Sequence, residues 1–436
     1  MNFQESIKYL FGLGYELSVK KFGLENTYTL LNALGNPQKN FIKVQVAGTN
    51  GKGSTCKFLE SILVQAGIKV GLNTSPHLVS VTERIRVNGI DILEEKFAEY
   101  VTKVRKISEE LVKSGELNGM PTFFEHITCI AQMVFADENV EIAILETGLG
   151  GRFDATTATE AEIVAITPID LDHIKTLGDT IEKIAIEKAS IIREGVKAVI
   201  AEQKYEAMRI ILSKCVEKKV SPNVANLVEV ENLDNLVTFK TNKNIYREIK
   251  LGLLGRHQIE NSTTAILLAE TLSNFKFQIS NKDIENGLQR AKHKGRLEYS
   301  DDGILYDGAH NVAGAKVLRE YLLESNDKPL IMIFGAMGGK NLDEISKILF
   351  PLAEQIIFTT PENPRAMPAK EIAEFVSQEF DKNKIFVIDE IPQAFEKARE
   401  ISGENNLILV TGSLYLIGEI QAYLKNQKVE RRKKKK

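Results

Sequence analysis

The sequence predicts an α/β protein of two domains: a larger one with a mostly parallel sheet around a phosphate-binding loop, then a smaller α/β domain. Three observations lead there. From residue 42 onward, short apolar runs alternate with amphipathic stretches, the rhythm of strands and helices in a parallel sheet. That rhythm is interrupted by charge and glycine in "LQRAKHKGRLEYSDDGILYDGAHN" (Leu288 to Asn311) and then restarts. The chain, at 436 residues, is also too long for one ordinary core.

In the first domain the strand segments are "FIKVQVA", "KVGLN", "EIAILE", "AEIVAITP" and "VKAVIAE". Amphipathic stretches such as Glu94 to Lys113 and Thr180 to Arg193 read as helices between them. The boundary falls near Lys294, which places the domains at 1–294 and 297–436. In the second, of roughly 140 residues, "GILYD", "PLIMIFGA", "QIIFTTP", "KIFVIDE" and "NLILVTGS" are each followed by a helical pattern. There is no tandem repeat of short period, and the basic tail 430–436 reads as a solvated, disordered end.

Composition narrows the class. Hydrophobic residues at 43% with 26% charged describe a globular protein. The net charge is −3, and Arg431 to Lys436 supply +6, leaving a mildly acidic body that offers no surface to nucleic acid. Cys56, Cys129 and Cys215 lie far apart without metal-type spacing and fit reduced thiols. The segment "MNFQESIKYLFGLGYEL" has no basic region before an apolar core, and no apolar run approaches membrane length. The expectation is a cytoplasmic protein with no membrane partner. Oligomeric state is not readable from the sequence; the mixed surface and the absence of a coiled-coil pattern make a monomer the default expectation.

The strongest local signal is "VQVAGTNGKGSTCKFL" (Val44 to Leu59), an apolar run, a glycine-rich turn and a helical pattern. Gly48, Gly51 and Gly53 let the backbone of Gly48, Thr49, Asn50, Gly51, Lys52, Gly53 and Ser54 turn tightly and aim N–H groups at one point. Lys52 supplies a positive charge for β- and γ-phosphates, and Ser54 or Thr55 a hydroxyl for Mg2+. The spacing departs from G-x-x-x-x-G-K-[ST], since the first glycine is closer and Gly53 separates lysine from serine. In an open parallel sheet, ligands sit beyond the carboxyl ends of the strands. Three segments deliver polar groups there: "NTSPHLVS" with Ser75 and His77, "AILETGLGGRFDATT" with Glu146 and Asp154, and "AITPIDLDHIKTLG" with Asp170, Asp172 and His173. Glu146 with a serine hydroxyl suits Mg2+, for which His173 is a less usual ligand. Each also has a plainer use: Glu146 as a helix cap, Asp154 as a turn holder, His173 as a surface imidazole.

Together "GTNGKGS", "TSPHLVSVTERIRVNG", "ETGLGGRFDATT", "LDHIKTLGDTIEKIAIEKASII", "GRLE", "DGAHN" and "TGSLYLIGE" resemble the folylpolyglutamate synthase and dihydrofolate synthase family, a branch of the Mur-type ligases. The resemblance begins at "FGLENTYTLLNALGNPQ" (Phe22 to Gln38) and runs to about residue 423. It implies a P-loop ATPase domain followed by a smaller Rossmann-like α/β domain, and an enzyme that joins a carboxylate to the amine of L-glutamate using ATP. By motif, Lys52 and its loop would hold ATP, with Asn261, Arg296 and Asp307 as further contacts. Ser75, Glu146 and His173 would bind Mg2+, and Lys188 would carry a carbamate that holds a second Mg2+. His310 would lie near the reacting centre. Folate or dihydropteroate would meet Thr122, Phe123, Phe124 and Glu125 and the turn Phe153, Asp154, Ala155. Phe123 and Phe124 suit either a flat pterin or the core of a helix.

The sequence departs from the family pattern at Thr157, at Ser190 and in "FGAMGGKN" (Phe334 to Asn341), none of them among the expected ATP or metal groups. The 47 residues before Gly48 are too few for the UDP-sugar domain of the peptidoglycan ligases. A nucleotide switch without ligase chemistry would have no use for "DGAHN" or Lys188. Whether the substrate is dihydropteroate, a reduced folate or both stays open, because both reactions use the same ATP and metal groups.

Overall fold

The computed structural model describes residues 1–14, 23–403 and 405–434. Phe22, where the family resemblance begins, lies outside them. The chain divides into two compact units. The first comprises Met1–Pro76, Val81–Gly252 and Gln258–Lys292; the second comprises His77–Ser80, Leu253–His257 and His293–Lys436.

In the first unit the strands are β1 (Ile42–Ala47), β2 (Val70–Asn73), β3 (Ile85–Val87), β4 (Ile90–Asp91), β5 (Ile142–Glu146), β6 (Ile163–Ile166), β7 (Lys197–Ile200) and β8 (Asn223–Val224). They form one sheet in the order β4-β3-β2-β5-β1-β6-β7-β8. From β2 to β8 the pairing is parallel, whereas β3 and β4 add an antiparallel edge. The central strands are buried on both sides, so they read as continuous apolar runs. One core joins Ala143 and Leu145 of β5 to Phe97, Val101, Ile127 and Phe135 of helices Glu94–Ser114 and Phe123–Asp137. Another joins Ile166 and Ile200 to Ile184 and Ile211 of helices Ile181–Ala189 and Tyr205–Glu217.

Two hairpins escape the apolar-run reading. Asn88 and Gly89 both have positive φ (49° and 78°) and join β3 to β4. Asp234 and Asn235 (φ 50° and 63°) likewise join β9 (Glu229–Leu233) to β10 (Leu236–Lys240), which pairs in turn with β11 (Ile245–Ile249). Such pairs set the twist of two-residue hairpin turns. The small sheet is held to helix His257–Leu272 through Glu270, whose Oε1 accepts from Thr241 Oγ1 (2.7 Å) and Tyr246 OH (2.9 Å).

The second unit holds β12 (Glu298–Tyr299), β13 (Leu305–Asp307), β14 (Leu330–Phe334), β15 (Gln355–Phe358), β16 (Ile385–Val387) and β17 (Leu407–Thr411), in the order β12-β13-β17-β14-β15-β16. All pairs but β12–β13 are parallel. Strand alternation divides its core in two. Leu330, Met332 and Phe334 face Leu318 and Ile345 on one side; Ile331 and Ile333 face Phe395 and Ile417 on the other. The last helix, Leu414–Lys434, includes residues 430–434, where the composition leads one to expect disorder. Lys, Arg, Glu and Gln are good helix formers, and a helix already nucleated on the core extends through them. Residues 435 and 436 lie outside the described residues. Among the described residues no helix is long and apolar enough to cross a membrane.

Two predictions follow from packing. Helix Asn281–Arg290 lies so close to helix Lys52–Gln65 that a Cβ on Gly287 would sit 2.4 Å from Ile62 Cα. Gly287→Ala is expected to destabilise the protein by about 1–3 kcal/mol in denaturant unfolding; parental stability would mean that the helices part freely. His126 is fully buried, its Nδ1 donating to Thr122 O (3.1 Å) and its Nε2 accepting from Tyr9 OH (3.2 Å). Burial pushes its pKa down from 6.5 to about 4. Between those values the unfolded chain binds a proton that the folded one does not, so this stability is complete above pH 6.5 and lost as pH falls through 4. The loss is about 3 kcal/mol, and His126→Gln should remove that part of the acid destabilisation; identical pH profiles in parent and variant would contradict it.

Candidate active site

The register of the large sheet places Val46 opposite Glu146, Ala47 opposite Ile166, and Asn73 opposite Leu145. Four parallel strands therefore stop at one level. Gly48, Ser75, Thr147 and Thr167 open on the same edge, where ligands bind in such sheets.

At Gly48 the loop touches the next strand end: a Cβ would lie 1.8 Å from Thr167 Oγ1. Gly51, left-handed at φ 83°, caps the helix Lys52–Gln65 and leaves no room for a side chain beside Asn261 Oδ1 (2.1 Å from a Cβ). The amides of Thr49 and Asn50 both donate to Pro168 O, at 3.0 and 3.2 Å. Thr49 Oγ1 donates to Asp170 O and accepts from Asp170 N, each at 3.0 Å. The helix beyond begins with N–H groups that have no intrahelical acceptor, the ordinary seat of an anion. Asn261 Nδ2 donates to Gln258 Oε1 (2.9 Å), and Gln258 Nε2 to Ser54 Oγ (3.4 Å), so the expected Asn261 is tied to the loop.

Two amines meet the carbonyl of Gly48. Lys52 curls back, its Nζ 3.1 Å from Gly48 O and 3.2 Å from Thr49 O. Lys188 Nζ, from helix Ile181–Ala189, donates to the same oxygen at 2.6 Å. Lys188 is buried, which pushes its pKa down to about 7; the charge of Lys52 lowers it further, and Asp172 and Asp154 oppose this. At neutral pH this is an amine half ready to act as a nucleophile.

Glu146 ends β5 and is buried, and its Oε2 accepts from Ser75 N at 3.1 Å, bringing those two expected residues together. His173 follows the end of β6 in a left-handed conformation (φ 50°), its Nε2 3.9 Å from Asp172 Oδ2.

Asp154 holds its own turn. Its carboxylate accepts from the amides of Gly148 (2.9 Å), Leu149 (2.9 Å) and Thr156 (3.0 Å) and from Thr156 Oγ1 (2.5 Å). Burial pushes its pKa up against these bonds. Ala155 is buried, whereas Phe153 is exposed with the Arg152 guanidinium 5.8 Å from its ring. Thr122 and Glu125 form a reciprocal cap on helix Phe123–Asp137, Thr122 Oγ1 accepting from Glu125 N and Glu125 Oε2 from Thr122 N. Phe123 lies in the core under the Arg84 guanidinium (4.9 Å), and Phe124 packs on Gly148, where a Cβ would be 2.8 Å from its ring. The S/T-x-x-E pattern in "TFFE" is a capping signal.

Gln45 is the residue that the sequence reading missed. Its Nε2 donates to the hydroxyls of Thr147 (3.2 Å), Thr156 (2.9 Å) and Thr157 (2.8 Å), tying the centre of β1 to the turn after β5. The one polar residue within an apolar "VQV" run was the available signal. Thr157 also donates to Gly151 O (2.7 Å), and Ser190 to Ile186 O (2.8 Å), so both departures from the family pattern are accommodated locally.

In the second unit, Arg296, Asp307 and His310 gather around one turn. Arg296 Nη1 (3.1 Å) and His310 Nδ1 (2.8 Å) both donate to Gly308 O. Asp307 accepts from Leu297 N (3.0 Å) and Ala309 N (2.9 Å); burial pushes its pKa up, and Arg296 pulls it down.

Among the described residues no three His, Cys, Asp or Glu side chains gather as a metal cage. One buried carboxylate, Glu146, beside Ser75 is a sparse, hard-oxygen donor set of the kind that suits Mg2+, which keeps waters and takes phosphate oxygens as ligands.

The family model of the Mur ligase middle domain matches residues 46–269, and that of the Mur ligase glutamate ligase domain matches residues 295–414. A dihydrofolate synthase/folylpolyglutamate synthase of Bacillus subtilis is 36% identical over 418 residues, covering 93% of this chain and 95% of the relative. The structure of E. coli FolC in complex with DHPP and ADP is similar with a TM-score of 0.87 at 26% identity, over 98% of this chain and 99% of that one. So is a bifunctional folylpolyglutamate synthase/dihydrofolate synthase with Mn, AMPPNP and L-glutamate bound, with a TM-score of 0.84 at 26% identity over 98% of each chain. With a phosphate loop of this geometry and relatives matched over nearly its whole length, the chain belongs to the dihydrofolate synthase/folylpolyglutamate synthase family of Mur-type ligases.

Proposed function

We propose that this enzyme uses ATP to join L-glutamate to the carboxylate of dihydropteroate or of a reduced folate, through an acyl phosphate. The observation that carries the reading is the meeting of Lys52 and a buried Lys188 on the carbonyl of the phosphate loop. A carboxylate is a poor acyl donor because its leaving group would be oxide or hydroxide. Transfer of the γ-phosphoryl group to a carboxylate oxygen releases ADP and leaves an acyl phosphate. The glutamate amine attacks the carbonyl carbon, loses a proton, and phosphate departs as the amide forms. Both steps concentrate negative charge, so placed positive charge and N–H donors contribute most of the catalysis.

In this reading Gly48 to Ser54 cradle the phosphates, Lys52 neutralises them, and Asn261, Arg296 and Asp307 contact the nucleotide. Ser75, Glu146 and His173 would hold Mg2+, which when bound polarises the phosphoryl oxygens. Lys188 is a neutral amine for much of the time at pH 7 and can add CO2, losing a proton to become a carbamate. That anion would hold a second Mg2+, whereas an ammonium would repel it. His310 would act near the reacting carbonyl. Thr122, Phe123, Phe124, Glu125, Phe153, Asp154 and Ala155 would shape the pterin site, with the exposed Phe153 ring the one placed to stack. The domains in this reading are 1–294 and 297–436, and the enzyme is a monomer in the cytoplasm, a compartment that the three buried free thiols fit.

The deciding assay is ADP release with glutamate, Mg2+ and ATP, run with dihydropteroate and with tetrahydrofolate in parallel. Turnover with both makes the enzyme bifunctional, and turnover with one names its step. No turnover with either, while ATP still binds, would transfer the reading to another Mur-type carboxylate. Lys188→Ala should lower kcat on the order of 10²-fold, with partial recovery on adding short carboxylic acids. Full activity in the variant would remove the carbamate.

A further inference from the structure

The motif "TERIRVNG" (Thr82 to Gly89) has no part in the chemistry above, yet it leads into a buried set of charges. Lys57 and Glu60, on helix Lys52–Gln65 one to two turns beyond Lys52, are both buried, with Lys57 Nζ 3.2 Å from Glu60 Oε2. Arg86 of β3 completes the set. Its Nε lies 3.7 Å from Glu60 Oε1 and 3.2 Å from Asp91 Oδ1, ion-pair contacts without hydrogen-bond geometry, and its Nη2 donates to Gly89 O. Lys57 and Glu60 are thus taken out of water, and Arg86 partly so, at a desolvation penalty that such groups often fail to recover.

What the triad joins gives it a purpose. On one side is the helix that begins at the phosphate loop. On the other is the strand whose first turn holds the end of β2: Arg84 O accepts from Asn73 Nδ2 (2.9 Å) and from Thr74 N (3.1 Å), immediately before Ser75. Asn88, at the hairpin turn, holds the start of β2, its Oδ1 accepting from Val70 N (2.9 Å) and its N–H donating to Val70 O (2.8 Å).

We propose that Lys57, Glu60 and Arg86 are positioning residues that set the register of β3 against the phosphate-loop helix and so fix the Thr74–Ser75 backbone beside Glu146. An ion pair weakens as its charges separate, whereas one apolar contact is readily exchanged for another. A leucine or methionine contact would tolerate a slide of β3 along the helix, whereas the triad holds one register. The proposal rests on the reading of Ser75 and Glu146 as metal-binding residues only for its catalytic consequence.

The test uses the triple variant Lys57→Met/Glu60→Leu/Arg86→Met, which removes all three charges together and leaves only the partly exposed Asp91 without its ion-pair partner. In metal-free protein, amide exchange of the segment 73–75 should quicken by roughly tenfold or more while β1 and β5 keep their protection and the thermal midpoint does not fall. In turnover, the Mg2+ concentration for half-maximal ADP release should rise by about fivefold or more, with metal-free nucleotide affinity unchanged. Parental exchange at 73–75 together with parental Mg2+ dependence would overturn the proposal. If the triple variant does not fold, Arg86→Lys is decisive, because it keeps the charge but loses the Nε between Glu60 and Asp91 and the Nη2 bond to Gly89 O. It should show the same local exchange at an unchanged thermal midpoint, and parental exchange there would equally overturn the proposal. Ser75→Ala separates the two readings: if exchange responds to the triad but Mg2+ dependence ignores Ser75→Ala, the metal role of Ser75 fails and the positioning role stands.

Discussion

The first unit's site depends on one close approach. Between Ala47 and the helix that begins at Lys52, the chain passes so near Thr167 that position 48 has no space for a side chain. Because Gly48 lies against that strand end, its carbonyl is aimed where Lys52 and Lys188 both reach it. Because Thr49 and Asn50 then share the Pro168 carbonyl, the loop is fastened to the turn that leads to Asp170, Asp172 and His173. Replacing Gly48 would disturb the carbonyl, two lysines and a strand-end loop together, since the Thr167 side chain it would strike is short, buried and backed by its own carbonyl.

How much of this was legible depends on how local the cause was. All ten apolar runs are strands, because a parallel sheet covered on both faces demands unbroken apolar segments. The phosphate loop was legible for the same reason: glycine, lysine and hydroxyl act within seven residues. The hairpins at Asn88–Gly89 and Asp234–Asn235 were equally local, but their signal is turn chemistry, and the flanking strands are too polar to register as apolar runs. The partners of Gln45 and the Glu60–Arg86 pair were not legible. They are about 100 and 26 residues apart in sequence, and only the sheet order brings them together. For "TFFE", two readings competed for the same letters; Thr122 and Glu125 satisfy each other, and both phenylalanines pack inward.

The second unit repeats a device of the first in different residues. There too, one glycine carbonyl, Gly308 O, receives two cationic or potentially cationic groups, Arg296 and His310, while the neighbouring carboxylate of Asp307 is consumed by backbone amides. A carbonyl is a weak partner for a cation: it satisfies hydrogen bonds without cancelling charge. Charged groups held this way, Lys52 and Arg296 among them, keep most of their field, and a polyanion entering later meets charge that is already oriented.

The same economy accounts for the low pKa of Lys188. Burial also pushes the pKa of Lys57 down, but there the paired Glu60 carboxylate opposes the fall directly. Burial and the nearby Lys52 outweigh the opposing charges of Asp172 and Asp154, and Lys188 titrates near neutrality. The two buried lysines thus differ in the partner each is given. Lys57 is neutralised by a partner and serves geometry. Lys188 is left short of one, so its nitrogen lone pair is available for chemistry at the pH at which the protein works.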